Sequence, residues 1–304
     1  MKAKYILPLS LLISLFSCSD DDSSAVVPPE PEGTPMKVMS YNIRYSNTTV
    51  DFGENSWDAR RQPSIDMILD EQPDVIGIQE PREDQRADLM EGLGGKYAMF
   101  CAVDDGVEDK YTGHTAIMYR TDRFTLLDKG HFWLSATPDE VSRPGWNAED
   151  QQYRTTVWVY LHDKIADKDF YFFNTHLPYK NADNEARLNS VRLNVERMKE
   201  KAGRHTPVFI TGDMNASWHS TDGRRNCLQP YFEWMWGARE EAVNVNPEVY
   251  SYNEFGQTKP GTTWNIDHIF FRNVKPLEFK VVNSKEYGVD YISDHYPITL
   301  TLTY

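Results

Sequence analysis

Apolar positions along this chain fall into short runs and alternations separated by polar turns. Met36-Lys37-Val38-Met39-Ser40-Tyr41-Asn42-Ile43 alternates with period two and predicts a strand. Residues from Trp57 to about Asp70 predict a helix, with Ser56 as its cap, Ile65, Ile68 and Leu69 toward a core, and Gln72-Pro73 as its stop. Val75-Ile76-Gly77-Ile78-Gln79 is an apolar run of strand length, as a buried strand requires. Gln85 to Leu93 predicts a second helix, halted by Gly94-Gly95. Strands are expected at Tyr97–Ala102, Ala116–Tyr119, Phe124–Leu127, Thr155–Leu161 and Phe170–Thr175. A long helix from about Asn184 to Lys201 carries Ala186, Val191, Val195 and Met198 at helical spacing. Val208–Gly212, Ile269–Phe271, Phe279–Val282 and Pro297–Thr303 complete the strand pattern. No repeat period is visible. Short strands mixed with helical crossovers predict an α/β fold with two mixed sheets face to face and helices outside.

The first residues read as an address. Lys2 and Lys4 precede an apolar stretch from Tyr5 to Phe16 that is too short to span a bilayer. Leu15-Phe16-Ser17-Cys18 resembles a bacterial lipobox, although Phe16 is unusual at its position; an ordinary secretory signal is the alternative. The Asp20-Asp21-Asp22 run and the prolines Pro28, Pro29, Pro31 and Pro35 cannot pack a core. The expected organisation is a signal peptide over 1–17, a lipidated flexible tether over 18–35, and one domain over 36–304. Acidic residues just after the cysteine resemble the surface-export signal of some Gram-negative gut bacteria. The expected location is therefore outside the cytoplasm, on the bacterial outer membrane through lipidated Cys18, as a monomer.

Charge and cysteine content narrow the chemistry. The net charge is −14, so the chain has no general attraction for nucleic acid, while carboxylates around a cation suit it. Apart from Cys18, only Cys101 and Cys227 remain; they either pair in an oxidising compartment or stay as buried thiols. Neither has metal-ligand spacing.

Polar residues collect at the strand ends. Asn42 ends the first strand, Glu80 follows the second, and Asn174-Thr175-His176 ends a later one. Asp213 and Asn215 follow Val208–Gly212, Asp267 and His268 precede Ile269, and Asp294 and His295 precede the last strand. Such endings hold reacting groups on a rigid scaffold. Carboxylate and amide oxygens suit Mg²⁺ or Mn²⁺. No Gly-x-Ser-x-Gly elbow and no Gly-rich phosphate loop is present. Metal-assisted attack of water on a phosphoryl group remains.

Ser40-Tyr41-Asn42-Ile43-Arg44, Gln79-Glu80, Asn174-Thr175-His176-Leu177, Gly212-Asp213-Met214-Asn215, Ile266-Asp267-His268-Ile269 and Ser293-Asp294-His295 together resemble, in order, the motifs of the endonuclease/exonuclease/phosphatase superfamily. The resemblance implies a four-layer α/β sandwich and divalent-metal-dependent hydrolysis of phosphoesters in nucleic acid, phospholipid headgroups or phosphorylated sugars. It implies Glu80 as the main metal ligand with Asn42 assisting, and Asp213 orienting or activating water. Asn215 and His176 would contact the phosphate. His295 would be general base or transition-state contact, Asp294 its neighbouring ligand or orienter, and Asp267 the holder of an imidazole. Which of Asp213 and His295 is the base stays open. Arg187 could clamp a phosphate or serve as a surface ion-pair residue. The chain departs from relatives at Gly113, where a glutamate is common, and at Pro178-Tyr179, where many have Asp-His. Trp133, Trp146, Trp218 and Trp264 could stack on a base or sugar, with core packing the stronger reading for Trp133 and Trp264. A non-catalytic surface binding protein that reuses the fold is the alternative function.

Overall fold

The computed structural model describes residues 33–47, 49–245 and 250–304. The expected signal peptide and Cys18 lie outside these residues. Of the expected tether only Gly33, Thr34 and Pro35 are described, and Pro35 already opens the first strand.

Thirteen strands are described: β1 (Pro35–Asn42), β2 (Val75–Gln79), β3 (Tyr97–Cys101), β4 (Thr115–Arg120), β5 (Phe124–Trp133), β6 (Thr155–Asp163), β7 (Lys168–His176), β8 (Val208–Asp213), β9 (Trp236–Gly237), β10 (Val243–Asn244), β11 (Asp267–Arg272), β12 (Lys275–Val281) and β13 (Ile298–Thr303). One sheet runs β10-β12-β13-β1-β2-β4-β3, and the other β5-β6-β7-β8-β11-β9. Both are mixed: β1–β2 and β7–β8 pair in parallel, while their outer neighbours pair antiparallel. The longer helices are α1 (Trp57–Glu71), α2 (Glu83–Gly92) and α3 (Asn184–Ala202).

The burial pattern follows from the alternation. One face of each sheet contributes to a shared core that includes Val38, Val75, Ile117, Val159, Phe172, Phe209, Ile269 and Leu300. The other face of the first sheet packs Met39, Ile76 and Met118 against Ile65, Ile68 and Leu89 of α1 and α2. The other face of the second packs Phe173, Ile210 and Phe270 against Val191, Val195 and Met198 of α3. These four layers are the expected sandwich. Among the described residues, no helix is long and apolar enough to cross a membrane.

A polar latch joins the sheets. Asn174 on β7 is fully buried. Its Nδ2 donates to the carbonyls of Ile78 and Ala116 in the other sheet at 2.8 and 2.9 Å. Its Oδ1 accepts from Gln79 Nε2 at 2.6 Å and Thr211 Oγ1 at 3.0 Å. Gly77 makes room for it: a Cβ there would stand 2.0 Å from Thr211 Oγ1 and 2.5 Å from Asn174 Oδ1.

Three local expectations change. Strand β5 runs to Trp133 rather than Leu127, with a bulge between Leu126 and Asp128, because pairing with β6 carries it through the polar Asp128-Lys129-Gly130 segment. Ser56 does precede α1, but its hydroxyl donates to the Gly53 carbonyl at 2.7 Å rather than capping the helix. Cys101 and Cys227 are buried and unpaired with each other.

Candidate active site

The strand directions bring six endings to one edge. Parallel β1 and β2 deliver Asn42 at, and Glu80 just beyond, their C-terminal ends. Parallel β7 and β8 set His176 beside Asp213 in register. Strand β11 runs antiparallel to β8, so its first residue, Asp267, lies opposite Asp213. Strand β13 runs antiparallel to β1, so Asp294 and His295 arrive beside Asn42 just before β13 begins. Ser293 fastens that approach, donating from Oγ to the Asn42 carbonyl at 2.7 Å and accepting the His295 backbone N–H at 3.2 Å. Glu80 takes the left-handed conformation (φ 67°), and its N–H donates to the His114 carbonyl at 2.8 Å. This turn aims the carboxylate inward rather than along the strand.

The centre is a set of buried charges in contact. His295 Nδ1 lies 2.8 Å from Asp267 Oδ2, and its Nε2 faces Asp213 Oδ2 at 3.6 Å. His176 Nε2 reaches the same Asp213 oxygen at 3.4 Å. Burial opposes charge on His295, but Asp267 and Asp213 overcome it and hold the imidazolium, with a pKa raised to about 10. Burial likewise opposes the Asp213 anion, but His295 and His176 hold its carboxyl well below the usual range. Burial, reinforced by Asp213, raises the Asp267 carboxyl despite His295. Asp294 is pushed up to about 6, by burial first and by the Glu80 charge, against His295 and Arg44. Burial disfavours the Glu80 anion, but His176, Arg44 and His295 bring its pKa below normal.

Asn42 sits between the carboxylates of Glu80 and Asp213. Its Nδ2 donates to Asp213 Oδ2 at 3.0 Å and Glu80 Oε1 at 3.3 Å, and its oxygen accepts the Arg44 N–H at 3.0 Å. It separates two carboxylates as a donor. Asn215 donates its N–H to Asp213 Oδ1 at 2.9 Å and one Nδ2 hydrogen to the Leu177 carbonyl at 3.0 Å, leaving a second amide hydrogen at the cleft.

The donor set fits a hard divalent cation. Glu80 and Asp294 bring carboxylates close enough that the charge of one raises the pKa of the other. A cation between them would relieve that repulsion. Ligand atoms of Asp213, Asp267 and His295 also lie within 4.8 Å of one another. His295 there is already paired with Asp267 and faces Asp213, so the Glu80 side is the better cation site.

The surrounding cleft has a volume of about 520 Å³. Arg44, Tyr45, Arg82, His114, Arg154, Tyr179, Tyr252 and Trp264 line it together with the central groups. Several of these carried no sequence assignment. Arg44 reaches Asp294 at 3.4 Å and Asp51 at 2.9 Å. Tyr252 lays its ring 4.9 Å from that of His295. The signal for Arg44 was its place two residues after Asn42; Tyr252 arrives on a long loop that leaves none. Burial lowers the His114 pKa to about 4, with Arg82 adding to the effect.

Arg187 is not at the cleft. It is fully buried, and its guanidinium donates to the carbonyls of Pro178 and Lys180, each at 2.8 Å, and to Asn184 Oδ1 at 2.7 Å. The helix turns it inward, where it holds the loop that presents Tyr179 and Asn181 to the cleft. Trp133 is buried and donates to the Tyr111 carbonyl, but Trp264 is half-buried on the cleft wall rather than in the core. Gly113 lines the cleft at φ 63°, and a Cβ there would meet Thr155 N at 2.8 Å, so the backbone leaves no space for an acidic side chain.

A profile described as the Endonuclease/Exonuclease/phosphatase family matches residues 39–295. An endonuclease/exonuclease/phosphatase from Bacteroides vulgatus superposes with TM-score 0.77 at 28% identity, over 88% of this chain and 98% of that one. The Bacteroides thetaiotaomicron mannosyl-6-phosphatase gives 0.76 at 28% identity, over 88% and 100%. D. rerio TDP2, complexed with a single-stranded DNA product, gives 0.67 at 18% identity, over 89% and 100%, a likeness of fold.

Proposed function

This chain belongs to the endonuclease/exonuclease/phosphatase family, whose members hydrolyse phosphoesters, and from that we propose a divalent-metal-dependent hydrolase of a small phosphoester, with phosphosugars as the substrate class. The observation that carries the reading is His295 gripped by Asp267 and facing Asp213, in one cleft with Glu80. The aromatic wall of Tyr45, Tyr179, Tyr252 and Trp264 suits a sugar ring, and the net charge of −14 disfavours an extended polyanion. The likeness to a mannosyl-6-phosphatase points the same way.

Each residue then has a task. Glu80, with Asp294, would hold the cation, which when bound supplies charge for the phosphoryl oxygens and the leaving oxygen. His295 enters protonated and donates from Nε2 to a non-bridging phosphoryl oxygen, fixed in orientation by Asp267. Asp213, already ionised, orients the attacking water and accepts its proton as the new P–O bond forms and the ester P–O bond breaks, while the departing alkoxide takes a proton from solvent. His176 and the free amide hydrogen of Asn215 steady the phosphate. With His295 a donor, Asp213 is the base.

The test is turnover of mannose 6-phosphate, p-nitrophenyl phosphate, bis-p-nitrophenyl phosphate and plasmid DNA with Mg²⁺ or Mn²⁺, with and without EDTA. His295→Ala and Asp213→Ala should each lower kcat by about 10²–10⁴. Full activity in either variant, or EDTA-resistant turnover, would overturn the reading. We also propose that the enzyme works outside the cytoplasm, tethered through Cys18. Cys18→Ala should move the protein from the membrane to the soluble fraction, and retention in the membrane would contradict the tether.

A further inference from the structure

Four arginines line the cleft, and three have a carboxylate partner. Arg44 holds Asp51 and Asp294, Arg154 holds Asp150 at 2.7 Å, and Arg224 holds Asp222. Arg82 differs. Among the described residues its guanidinium meets two neutral groups instead. Its Nη1 lies 2.6 Å from His114 Nε2, and it rests over the Tyr45 ring at 5.2 Å. A guanidinium cannot accept, so Nε2 must present a lone pair, and the ring supports Arg82 without neutralising it. Asp109 lies 3.8 Å from Nδ1 of that ring and is engaged by Arg86 at 2.8 Å.

The support is tied to the metal side of the site. His114 is itself in the left-handed conformation (φ 49°), and its carbonyl accepts the Glu80 N–H. Tyr45 donates its N–H to Glu80 Oε2 at 3.2 Å, while its ring is approached by Arg44 at 4.7 Å as well as by Arg82. Arg82 is thus a half-buried fixed cation two residues from Glu80, with the rest of its fork unspent.

We infer that Arg82 binds the additional negative charge of a phosphomonoester and makes this enzyme a monoesterase. The inference rests on the phosphoester-hydrolase reading above. A monoester carries close to two charges at neutral pH and has three terminal oxygens; a diester carries one charge and has two. The planar guanidinium can grip a pair of terminal oxygens, leaving the third for His295, a grip that a second ester substituent obstructs.

The experiment compares kcat/KM for p-nitrophenyl phosphate and bis-p-nitrophenyl phosphate with Mg²⁺ in wild type, Arg82→Gln and Arg82→Lys. Competitive inhibition by methyl phosphate and by dimethyl phosphate gives a second readout independent of chemistry. Wild type should prefer the monoester. Arg82→Gln should lower monoester kcat/KM by about 10- to 100-fold and weaken methyl phosphate inhibition equally, with diester values within about 3-fold. Arg82→Lys should fall between, and a circular dichroism melt shows that each variant is folded. Equal losses on both esters, no loss on either, or a wild-type preference for the diester would overturn the role of Arg82. Wild-type turnover with an unselective Arg82→Gln overturns this role alone; no wild-type turnover of any phosphoester removes the hydrolase reading and this one with it.

Discussion

Replacing Asp267 by asparagine tests the centre of the site. Asp267 and His295 are 2% and 4% exposed, and the bond between them is 2.8 Å long. Burial alone would lower the His295 pKa, yet it is raised from 6.5 to about 10, with Asp267 the leading contributor and Asp213 next. That lift corresponds to roughly 5 kcal/mol of preference for the imidazolium at 1.36 kcal/mol per unit. If Asp267 supplies half, Asp267→Asn removes about 2–3 kcal/mol of it, or about 30- to 150-fold in equilibrium. The asparagine is close in size, so the fold should persist. We expect kcat to fall about 100-fold with KM nearly unchanged, because the lost interaction matters most as negative charge builds on the phosphoryl oxygens. Imidazole NMR should show the His295 titration moving down toward neutrality. A kcat within threefold of wild type, or an unmoved titration, would refute the assignment of Asp267 as the group that keeps His295 charged.

Three further substitutions probe the scaffold. Arg187→Ala should cost about 3 kcal/mol by leaving buried carbonyls of the 178–184 loop without donors, and should raise KM more than it lowers kcat; chemical denaturation and steady-state kinetics check both. Gly77→Ala should destabilise by about 3 kcal/mol or prevent folding, since its Cβ would collide with Thr211 and Asn174; a melting temperature within about 2 °C of wild type would contradict the collision. Asp163 is buried, which opposes its charge, but hydrogen bonds from Arg123 and Tyr304 bring its pKa below the ordinary carboxylate value. Its contribution is complete above the unfolded carboxylate pKa and disappears as pH falls through the lower folded value. Asp163→Asn should therefore be less stable at pH 7 and show a flatter acid limb in melting temperature against pH.

Much of the architecture was legible because buried strands leave a plain trace. Val75–Gln79 and Val208–Gly212 are apolar runs that lead into polar residues, and those residues, Glu80 and Asp213, line the cleft. The family motifs supplied the order, and Asn42, Glu80, His176, Asp213, Asn215, Asp267, Asp294 and His295 do come together. What stayed hidden depends on turns rather than runs. Arg82 and His114 reach the cleft through left-handed turns at Glu80 and His114, whose side chains give no hint of φ. Arg187 lies close to His176 in sequence. Yet it shares a helical face with Val191, Asn194 and Met198, and that periodicity already pointed inward. Strand β5 was cut short because Asp128-Lys129-Gly130 breaks the alternation that its pairing with β6 overrides.

The Asn174 latch has a consequence for how this enzyme fails. Half of the groups proposed to react belong to one sheet and half to the other, so the proposed catalysis needs a fixed spacing between two slabs that are otherwise joined mainly by apolar side chains. Apolar contacts are forgiving of small slips, while the three hydrogen bonds that cross between the sheets at this one amide are not. The latch therefore acts as a registration pin, and the pin should give way before the slabs come apart. On heating, activity should disappear at a temperature where both sheets still register in the far-ultraviolet spectrum. Outer strands such as β5 and β10 can accept many sequence changes without moving the pin, which lets the periphery diverge while the spacing of the reacting atoms stays constant.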